Sequence, residues 1–346
     1  MKLLWAGNGF LVPLLSPDCE MIPAGRIIET EWHGAPWASG SEAEIEAAIS
    51  DNADADFLFV MNTHQPPNSE RPADTLPYQQ AVRCAAKIAR EQKLPVAWWS
   101  IEDPNAFNLG GQAEIAECVF TSCRTAIPRY REVVGHDRVF WLPLAAQPAI
   151  HKPLPLAEDA ADLVHVGNHY PWWPAKVAFL ENALLPLVRA GYSLALYSYE
   201  ADNWPEEVRP FWRGKSRYLD SAECYRHGRI ALGSNCQAGG DIDQFKGTTM
   251  CSMRVFEALA CGKPLLAFWS EAYEALGFGR QHLAIASRAS AALEWADVLL
   301  RTEKVGIGSI GDGGMDFVLD LHTYSHRLSY LRDVICGGLR KPLEFA

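Results

Sequence analysis

The stretch MRVFEALACGKPLLAFW, from Met253 to Trp269, contains one complete helix-to-strand unit. Its first residues place apolar side chains at helical spacing, a Gly-Lys-Pro turn follows, and PLLAFW has the apolar composition of a buried strand. Arg254 and Glu257 stand three residues apart, so they share one face near the start of the predicted helix. The pair is either a surface ion pair or a ligand contact at the helix N-terminus.

Short apolar runs alternate with helical patterns along the rest of the chain. The predicted strands are KLLWAG, DFLFVMN, PVAWWSI, VFTSC and RVFWLPLA, then DLVHVGN, YSLALYS, RIALGSN and PLLAFW. The predicted helices are SEAEIEAAIS, PYQQAVRCAAKIAREQK and QAEIAECV, then KVAFLENALLPLVRAG, MRVFEALACG, SAALEWADVLLRT and LHTYSHRLSYLRDVI. Continuous apolar strands between helices are typical of an α/β fold with a parallel, doubly wound sheet.

A proline-rich stretch without periodicity, AQPAIHKPLPLAEDAA at residues 146–161, interrupts the alternation. It predicts two Rossmann-like domains, 1–150 and 151–346, and the last helix is a candidate to pack back on the N-terminal domain. We expect the two domains to face each other across an interdomain cleft. Ligands of such sheets bind beyond the carboxyl ends of the strands.

Composition narrows the function classes. The 346 residues carry a formal net charge of -11, and an acidic surface of this kind disfavours a protein that grips long nucleic acids or anionic lipid. No apolar run approaches the roughly 20 residues of a membrane span. The nine cysteines include no CxxC pair, as expected for thiols in a reducing cytoplasm.

The loop CQAGGDIDQFKGTTMCS, at residues 236–252, precedes the helix with Arg254 and Glu257. Small and polar residues at a helix start leave backbone N–H groups available to a phosphate. Arg254 can clamp a diphosphate, and Glu257 can accept the hydroxyls of a ribose. Asp241-Ile242-Asp243 is the one acidic pair that could bind a metal, and we expect cations and helix dipoles to act in its place.

Six blocks of the sequence carry a family resemblance. Four lie in the second half, DLVHVGNHY, RGKSRYL, CYRHGRIALGSN and MRVFEALACGKPLLAF, and two in the first half, AWWSIEDPNAF and VFWLPLAAQPAIHKP. Together they resemble the CgeB-like (spore maturation protein) family of glycosyltransferases. The resemblance implies the GT-B fold, with a nucleotide diphosphate sugar as co-substrate on the C-terminal domain, an acceptor on the N-terminal domain and no other cofactor. It also implies that Glu257 binds the ribose. Many retaining relatives have a further glutamate eight positions earlier, where this chain has Thr249, so the retaining or inverting outcome stays open.

Other donor-binding candidates follow strands or lie on loops of the second half. Gly167 and Asn168 end a strand, where they either admit a diphosphate or form a plain turn. Tyr197 either stacks on the base or sugar or packs in the core. Three basic residues could neutralise a diphosphate or simply be solvated: Arg213, Lys215 and Lys246.

The first half supplies two candidates for the general base that deprotonates the acceptor. Asp103 follows the strand PVAWWSI, and His64 follows DFLFVMN. Asp103 could instead cap the helix that the Asp-Pro turn starts.

The sequence therefore predicts a metal-independent glycosyltransferase. A catalytically silent nucleotide- or carbohydrate-binding protein of the same fold and a nucleotide-sugar epimerase are the alternatives. The acceptor stays open between glycan, protein, small molecule and modified nucleic acid.

Overall fold

The structure is a computed structural model, and it describes residues 1–29, 35–62, 72–103, 107–108, 111–216, 218–234, 250–305, 310–339, 341 and 343–344. The chain divides into two compact units. The first contains residues 1–143 and 324–344, and the second contains residues 144–323. Across the described residues, no helix is both long and apolar enough to cross a membrane.

The first unit is built on a sheet of eight described strands. These are β1 (Lys2–Asn8), β2 (Glu20–Pro23), β3 (Arg26–Ile28), β4 (Trp37–Ser39), β5 (Phe57–Asn62), β6 (Val96–Ser100), β7 (Cys118–Thr121) and β8 (Val139–Trp141). Their order is β3-β4-β1-β5-β6-β7-β8, and β2 pairs with the first half of β1. Strands β1, β2 and β5 to β8 are parallel, whereas β4 is antiparallel to both β1 and β3.

Five helices belong to this unit within the described ranges: α1 (Val12–Leu15), α2 (Glu42–Ser50), α3 (Tyr78–Glu91), α4 (Ile127–Val134) and the last helix of the chain, α12 (Tyr324–Ile335). Helix α12 packs on β7 and β8, because the Tyr330 ring lies 6.4 Å from the rings of both Phe120 and Phe140. Arg327 is fully buried and donates from Nε to the Pro143 carbonyl at 2.9 Å.

The second unit has six described strands, all parallel. They are β9 (Ala161–Val166), β10 (Leu194–Tyr197), β11 (Trp212–Gly214), β12 (Gly228–Gly233), β13 (Leu265–Phe268) and β14 (Ala284–Ala286). Their order is β11-β10-β9-β12-β13-β14, so β9 and β12 are neighbours at the centre.

The helices of this unit are α5 (Pro174–Phe179), α6 (Leu185–Arg189), α7 (Ser221–Tyr225), α8 (Met253–Ala260), α9 (Glu271–Ala275), α10 (Ala289–Val305) and α11 (Ile310–Leu321). Helices α5 and α6 are joined by a π-helical turn, Leu180–Leu184. Pro186 follows this turn and lacks the N–H that a regular helix needs, which explains the wider turn before it. Leucines of this helical segment pack with strand residues such as Leu163 and Ile230 in one core.

The predicted fold class is confirmed, since the chain folds as two Rossmann-like units with parallel sheets. QAEIAECV was predicted as a helix, but it forms a short 3-10 turn, Ala113–Ile115, before β7. The predicted last helix LHTYSHRLSYLRDVI is confirmed as α12, which begins three residues later, at Tyr324. The short strands β2, β3, β4, β11 and β14 and the short helices α1, α4, α7 and α9 were not predicted, because elements of three to eight residues carry too little periodicity. Helix α11 was not predicted either, although it has 12 residues.

Candidate functional site

Polar side chains gather where the central strands of the second unit end. Gly167 follows β9, Ser198 follows β10 and Ser234 follows β12. Because these strands are parallel neighbours, their carboxyl ends lie at one edge of the sheet. This is the edge at which open α/β sheets bind ligands.

Lys176, on the first turn of α5, is the main charge at this edge. The side chain is 4% exposed, and its Nζ donates a hydrogen bond to Ser234 Oγ at 2.8 Å. Throughout the described part of the chain, no carboxylate forms an ion pair with Lys176. A buried ammonium without a counter-ion costs several kcal/mol, so a site that keeps one is suited to bind an anion.

Two buried histidines lie near this ammonium and stay neutral. Burial, and then the charge of Lys176, lowers the pKa of His165 to about 3, and the same two causes lower the pKa of His169. His165 Nδ1 lies 2.9 Å from the Leu232 carbonyl, so it carries the proton and Nε2 keeps a lone pair. The two imidazoles therefore add no positive charge to this edge at neutral pH.

The Gly167-Asn168 turn has a clear structural task. Asn168 Oδ1 accepts the Tyr199 N–H at 2.7 Å, and its Nδ2 donates to Tyr170 Oη at 2.9 Å. Gly167 has φ +156°, and a Cβ there would approach His165 Nε2 to 3.4 Å. The turn thus joins the ends of β9 and β10, and donor binding by these two residues stays a prediction.

Arg254 and Glu257 form an ion pair on α8, with Arg254 Nη1 2.6 Å from Glu257 Oε2. Glu257 is fully buried, whereas the Arg254 side chain keeps 21% exposure. Burial opposes the charge of Arg254, but the Glu257 carboxylate outweighs it and raises the pKa of the guanidinium. The surface ion pair considered from the sequence is wrong, since the carboxylate lies inside the unit.

The second oxygen of Glu257 points to a histidine that sequence reasoning did not single out. Glu257 Oε1 makes no hydrogen bond and lies 3.8 Å from His151 Nε2, and both side chains are fully buried. His151 Nδ1 accepts the Gln147 N–H at 2.9 Å, so the proton of the neutral ring is on Nε2, facing the carboxylate. Of the two carboxylate oxygens, Oε2 is therefore paired with Arg254, and Oε1 can still accept a hydrogen bond.

The other predicted donor residues of the second unit have protein partners. Arg213 Nη1 pairs with Asp159 Oδ2 at 2.8 Å. Lys215 Nζ lies 4.8 Å from the centre of the Tyr199 ring, a cation–π contact. The Tyr197 ring lies 5.9 Å from the His227 ring, and burial raises its pKa. These contacts fit the packing interpretations, and binding to a donor stays a prediction for all three.

Asp103 is fully buried in the first unit. Its Oδ2 accepts from Thr121 Oγ1 at 2.5 Å and its Oδ1 from Tyr130 Oη at 3.2 Å. Burial raises the pKa of Asp103 to about 7, against the opposing effect of the surrounding hydroxyls. Hydroxyl groups enclose this carboxylate, and its role as the general base stays a prediction.

Three further candidates lie outside the described residues: His64, Lys246 and the pair Asp241 and Asp243. Thr249, where many relatives have a glutamate, also lies outside them. Within the described residues, no three His, Cys, Asp or Glu side chains are grouped as a metal site requires. The absence of a metal and of a cofactor stays a prediction.

Sequence reasoning missed Lys176 as a site residue, although a signal was present. Lys176 stands three and four residues before Phe179 and Leu180, both buried, so it occupies the apolar face of its helix. A lysine on the apolar face of the first helix after a strand and a Gly-Asn turn is unusual enough to be a candidate.

Residues 177–333 match a protein-family model described as glycosyl transferase-like. The fold also matches solved structures along nearly the whole chain. HepE from Anabaena in complex with UDP-glucose is 12% identical with a TM-score of 0.55, and the match covers 98% of this chain and 100% of that one. Sucrose-phosphate synthase from Thermosynechococcus elongatus is 10% identical with a TM-score of 0.55, covering 98% and 100%. A glycosyltransferase from Rickettsia africae is 11% identical with a TM-score of 0.55, covering 97% and 90%.

No curated protein matches the sequence significantly. The chain therefore has the GT-B fold, and most of the region that matches the glycosyl transferase-like family model lies in the second unit. The predicted enzyme class is confirmed at this level.

Proposed function

We propose that the protein transfers a sugar from a nucleotide diphosphate sugar, whose diphosphate is bound by Lys176. The observation that carries the proposal is the buried Lys176 ammonium, which has a hydroxyl partner and no carboxylate among the described residues. A diphosphate would supply the missing counter-charge, and the bonds to it would strengthen as charge develops on the leaving group.

The ribose is assigned to Glu257. The carboxylate has an oxygen, Oε1, that makes no hydrogen bond and can accept from a hydroxyl. Because the side chain is fully buried, a ribose would reach it only after neighbouring atoms move aside. Arg254 stays paired with the other oxygen.

The similar fold of HepE, solved with UDP and with UDP-glucose, makes uridine diphosphate sugars the first donors to test. Membership of the CgeB-like subfamily, action without a metal and a cytoplasmic location are also proposals. They are supported by the sequence blocks around Glu257, by the cations Lys176 and Arg254, and by the cysteine pattern. The second unit is proposed to hold the donor, and the first unit the acceptor hydroxyl that reacts.

The test measures UDP binding by calorimetry and UDP release from UDP-glucose. Lys176→Met should weaken UDP binding by roughly 10- to 150-fold, because a charge-assisted hydrogen bond contributes about 1.5–3 kcal/mol. The melting temperature should stay the same or rise, since a buried charge is replaced by an apolar side chain of similar length. Glu257→Gln should also weaken binding, but with a lower melting temperature because Arg254 loses its partner.

Lys87→Met is the matched control, since Lys87 is 69% exposed on the surface of the first unit. Its UDP affinity should equal that of the unmodified protein. Equal UDP affinity in the Lys176→Met variant would refute the diphosphate site. UDP binding without any release of UDP from UDP-glucose would favour a silent binding protein.

A further inference from the structure

An apolar aromatic segment is exposed beside the proposed donor site. It consists of Tyr170-Pro171-Trp172-Trp173-Pro174, between the end of β9 and the start of α5. Trp172 is 62% exposed, the largest exposure among the large hydrophobic side chains of the described residues. Burial of a large apolar side chain contributes about 1.5–3 kcal/mol to the free energy of folding, and an exposed indole lacks this contribution. Such exposure therefore requires an explanation.

The segment is fixed in place. The Tyr170 hydroxyl accepts from Asn168 Nδ2 at 2.9 Å, and the Trp173 N–H donates to the Tyr170 carbonyl at 2.9 Å. The Tyr170 ring lies 4.6 Å from the Trp173 ring and 5.5 Å from the Trp172 ring. Two prolines restrict the backbone further. The aromatic surface is therefore preorganised, which lowers the entropy lost when a ligand binds.

The position of the aromatic segment indicates which part of a bound substrate can reach its rings. Lys176 Nζ meets Ser234 across the ends of β9 and β12, and Glu257 lies on α8, between β12 and β13. The aromatic segment follows β9 and is tied by Asn168 to Tyr199 after β10, on the other side of Lys176. A nucleotide that runs from Lys176 toward Glu257 leads away from the aromatic rings. What reaches these rings is the sugar end of the donor or the acceptor.

The chemistry of the segment fits a neutral ring. Residues 169–175 contain no Lys, Arg, Asp or Glu, and the pKa of His169 is lowered by burial, so the surface is uncharged at neutral pH. Indole and phenol rings combine an apolar face with a polar edge that stays in water. A pyranose ring has the matching form, with C–H groups on its faces and hydroxyls around its rim.

We propose that Tyr170 and Trp172 form a stacking platform for a pyranose of the acceptor, so that the acceptor is a carbohydrate. The proposal rests on the proposed donor site, because that site sets the direction of the substrate. A nucleobase and the donor's own sugar are the competing occupants. Binding of UDP-glucose that is tighter than binding of UDP, with the difference lost in Trp172→Ala, would assign the platform to the donor sugar and overturn the proposal.

The experiment uses the intrinsic tryptophan emission of the full chain and its quenching by acrylamide. The probes are maltohexaose, cellohexaose, a mannan oligosaccharide and the tetramer of N-acetylglucosamine, each with and without saturating UDP. At least one oligosaccharide should shift the emission to shorter wavelength and reduce quenching. In Trp172→Ala the same oligosaccharide should bind at least about fivefold more weakly, the lower end of what loss of one stacking contact causes.

Trp269→Ala is the matched control, because Trp269 is 54% exposed and follows β13 at the same edge of the sheet. This variant should keep the oligosaccharide response. UDP affinity, measured by calorimetry, should be unchanged in Trp172→Ala, which separates the platform from the donor site. If Lys176→Met loses UDP affinity but no oligosaccharide gives a response, the proposed donor site is supported and the proposed stacking platform is refuted. A response that survives Trp172→Ala, or that UDP alone produces through Trp172, would overturn it as well.

Discussion

Lys176 and Glu257 show two ways in which the second unit keeps a charge inside. Glu257 has a full countercharge in Arg254, 2.6 Å away, and a histidine N–H directed at its other oxygen. Lys176 has the hydroxyl of Ser234. The first arrangement stabilises its own charge, whereas the second leaves a positive potential that a ligand can use. A spacing of three residues could predict the Arg254–Glu257 pair, but burial of Lys176 depends on how α5 packs, which no local pattern shows.

Asp103 carries a prediction about pH at the same scale. Its pKa of about 7, compared with the ordinary 3.8, means that the folded protein binds this proton more tightly than the unfolded chain does. Ionisation of Asp103 therefore lowers the free energy of unfolding as the pH rises from about 4 to about 7. Above pH 7 the whole loss is present, with an upper bound of roughly 4 kcal/mol. Asp103→Asn removes the titration, and Thr121 Oγ1 can turn its proton to the Cys123 carbonyl and accept from the amide.

We expect the Asn variant to gain stability relative to the unmodified protein as the pH rises from about 5 to about 8, measured by urea unfolding at each pH. Asp137→Asn is the control, because Asp137 is 96% exposed and should show no such trend. Turnover of the Asn variant should change by less than about tenfold, whereas loss of a general base lowers turnover by about 10²–10⁴. A drop of that larger size would identify Asp103 as the general base.

At the scale of elements, the buried strands and the longer helices could be predicted because their side chains carry a clear period. Helix α11 was missed for the opposite reason. Its sequence IGDGGMDFVLDL begins with three glycines, which normally indicate a turn. In the structure Gly314 allows α11 to approach α8, since a Cβ there would lie 2.4 Å from the His282 carbonyl oxygen and 2.6 Å from Leu259 Cδ2. A single sequence does not show whether a glycine allows two helices to pack closely or forms a turn.

Gly314→Ala tests this packing and its link to the site. The added methyl group cannot be accommodated without moving α11 or α8, and overpacking of this kind costs about 1–3 kcal/mol. Because α8 carries Arg254 and Glu257, UDP affinity should fall together with the melting temperature. Asp316→Ala, at an exposed position of the same helix, should change neither quantity. A variant with full stability would show that the helices adjust without strain.

At the scale of the whole molecule, the chain returns to the first unit at its end. The sequence predicted domains of 1–150 and 151–346, with the last helix as a candidate to pack back on the N-terminal domain. The compact units are 1–143 with 324–344, and 144–323. The composition of a linker can show where one domain ends and the next begins, but it cannot show that a later helix packs on the first domain. The contacts of α12 are with residues about 190 positions earlier, such as Val334 with Arg138.

Removal of residues 324–346 should therefore unfold the first unit and spare the second. Leu328, Leu331 and Val334 of α12 are at most 3% exposed, and burial of three such side chains contributes roughly 4–9 kcal/mol. That is comparable with the whole stability of a typical domain, about 5–15 kcal/mol. Limited proteolysis with mass spectrometry should show cleavage within residues 1–143 and a resistant fragment close to 144–323. A chain that ends at Cys336 keeps α12 and should resist cleavage in both units. If the chain that ends at residue 323 were equally resistant in both units, α12 would be an accessory to the first unit and not part of its core.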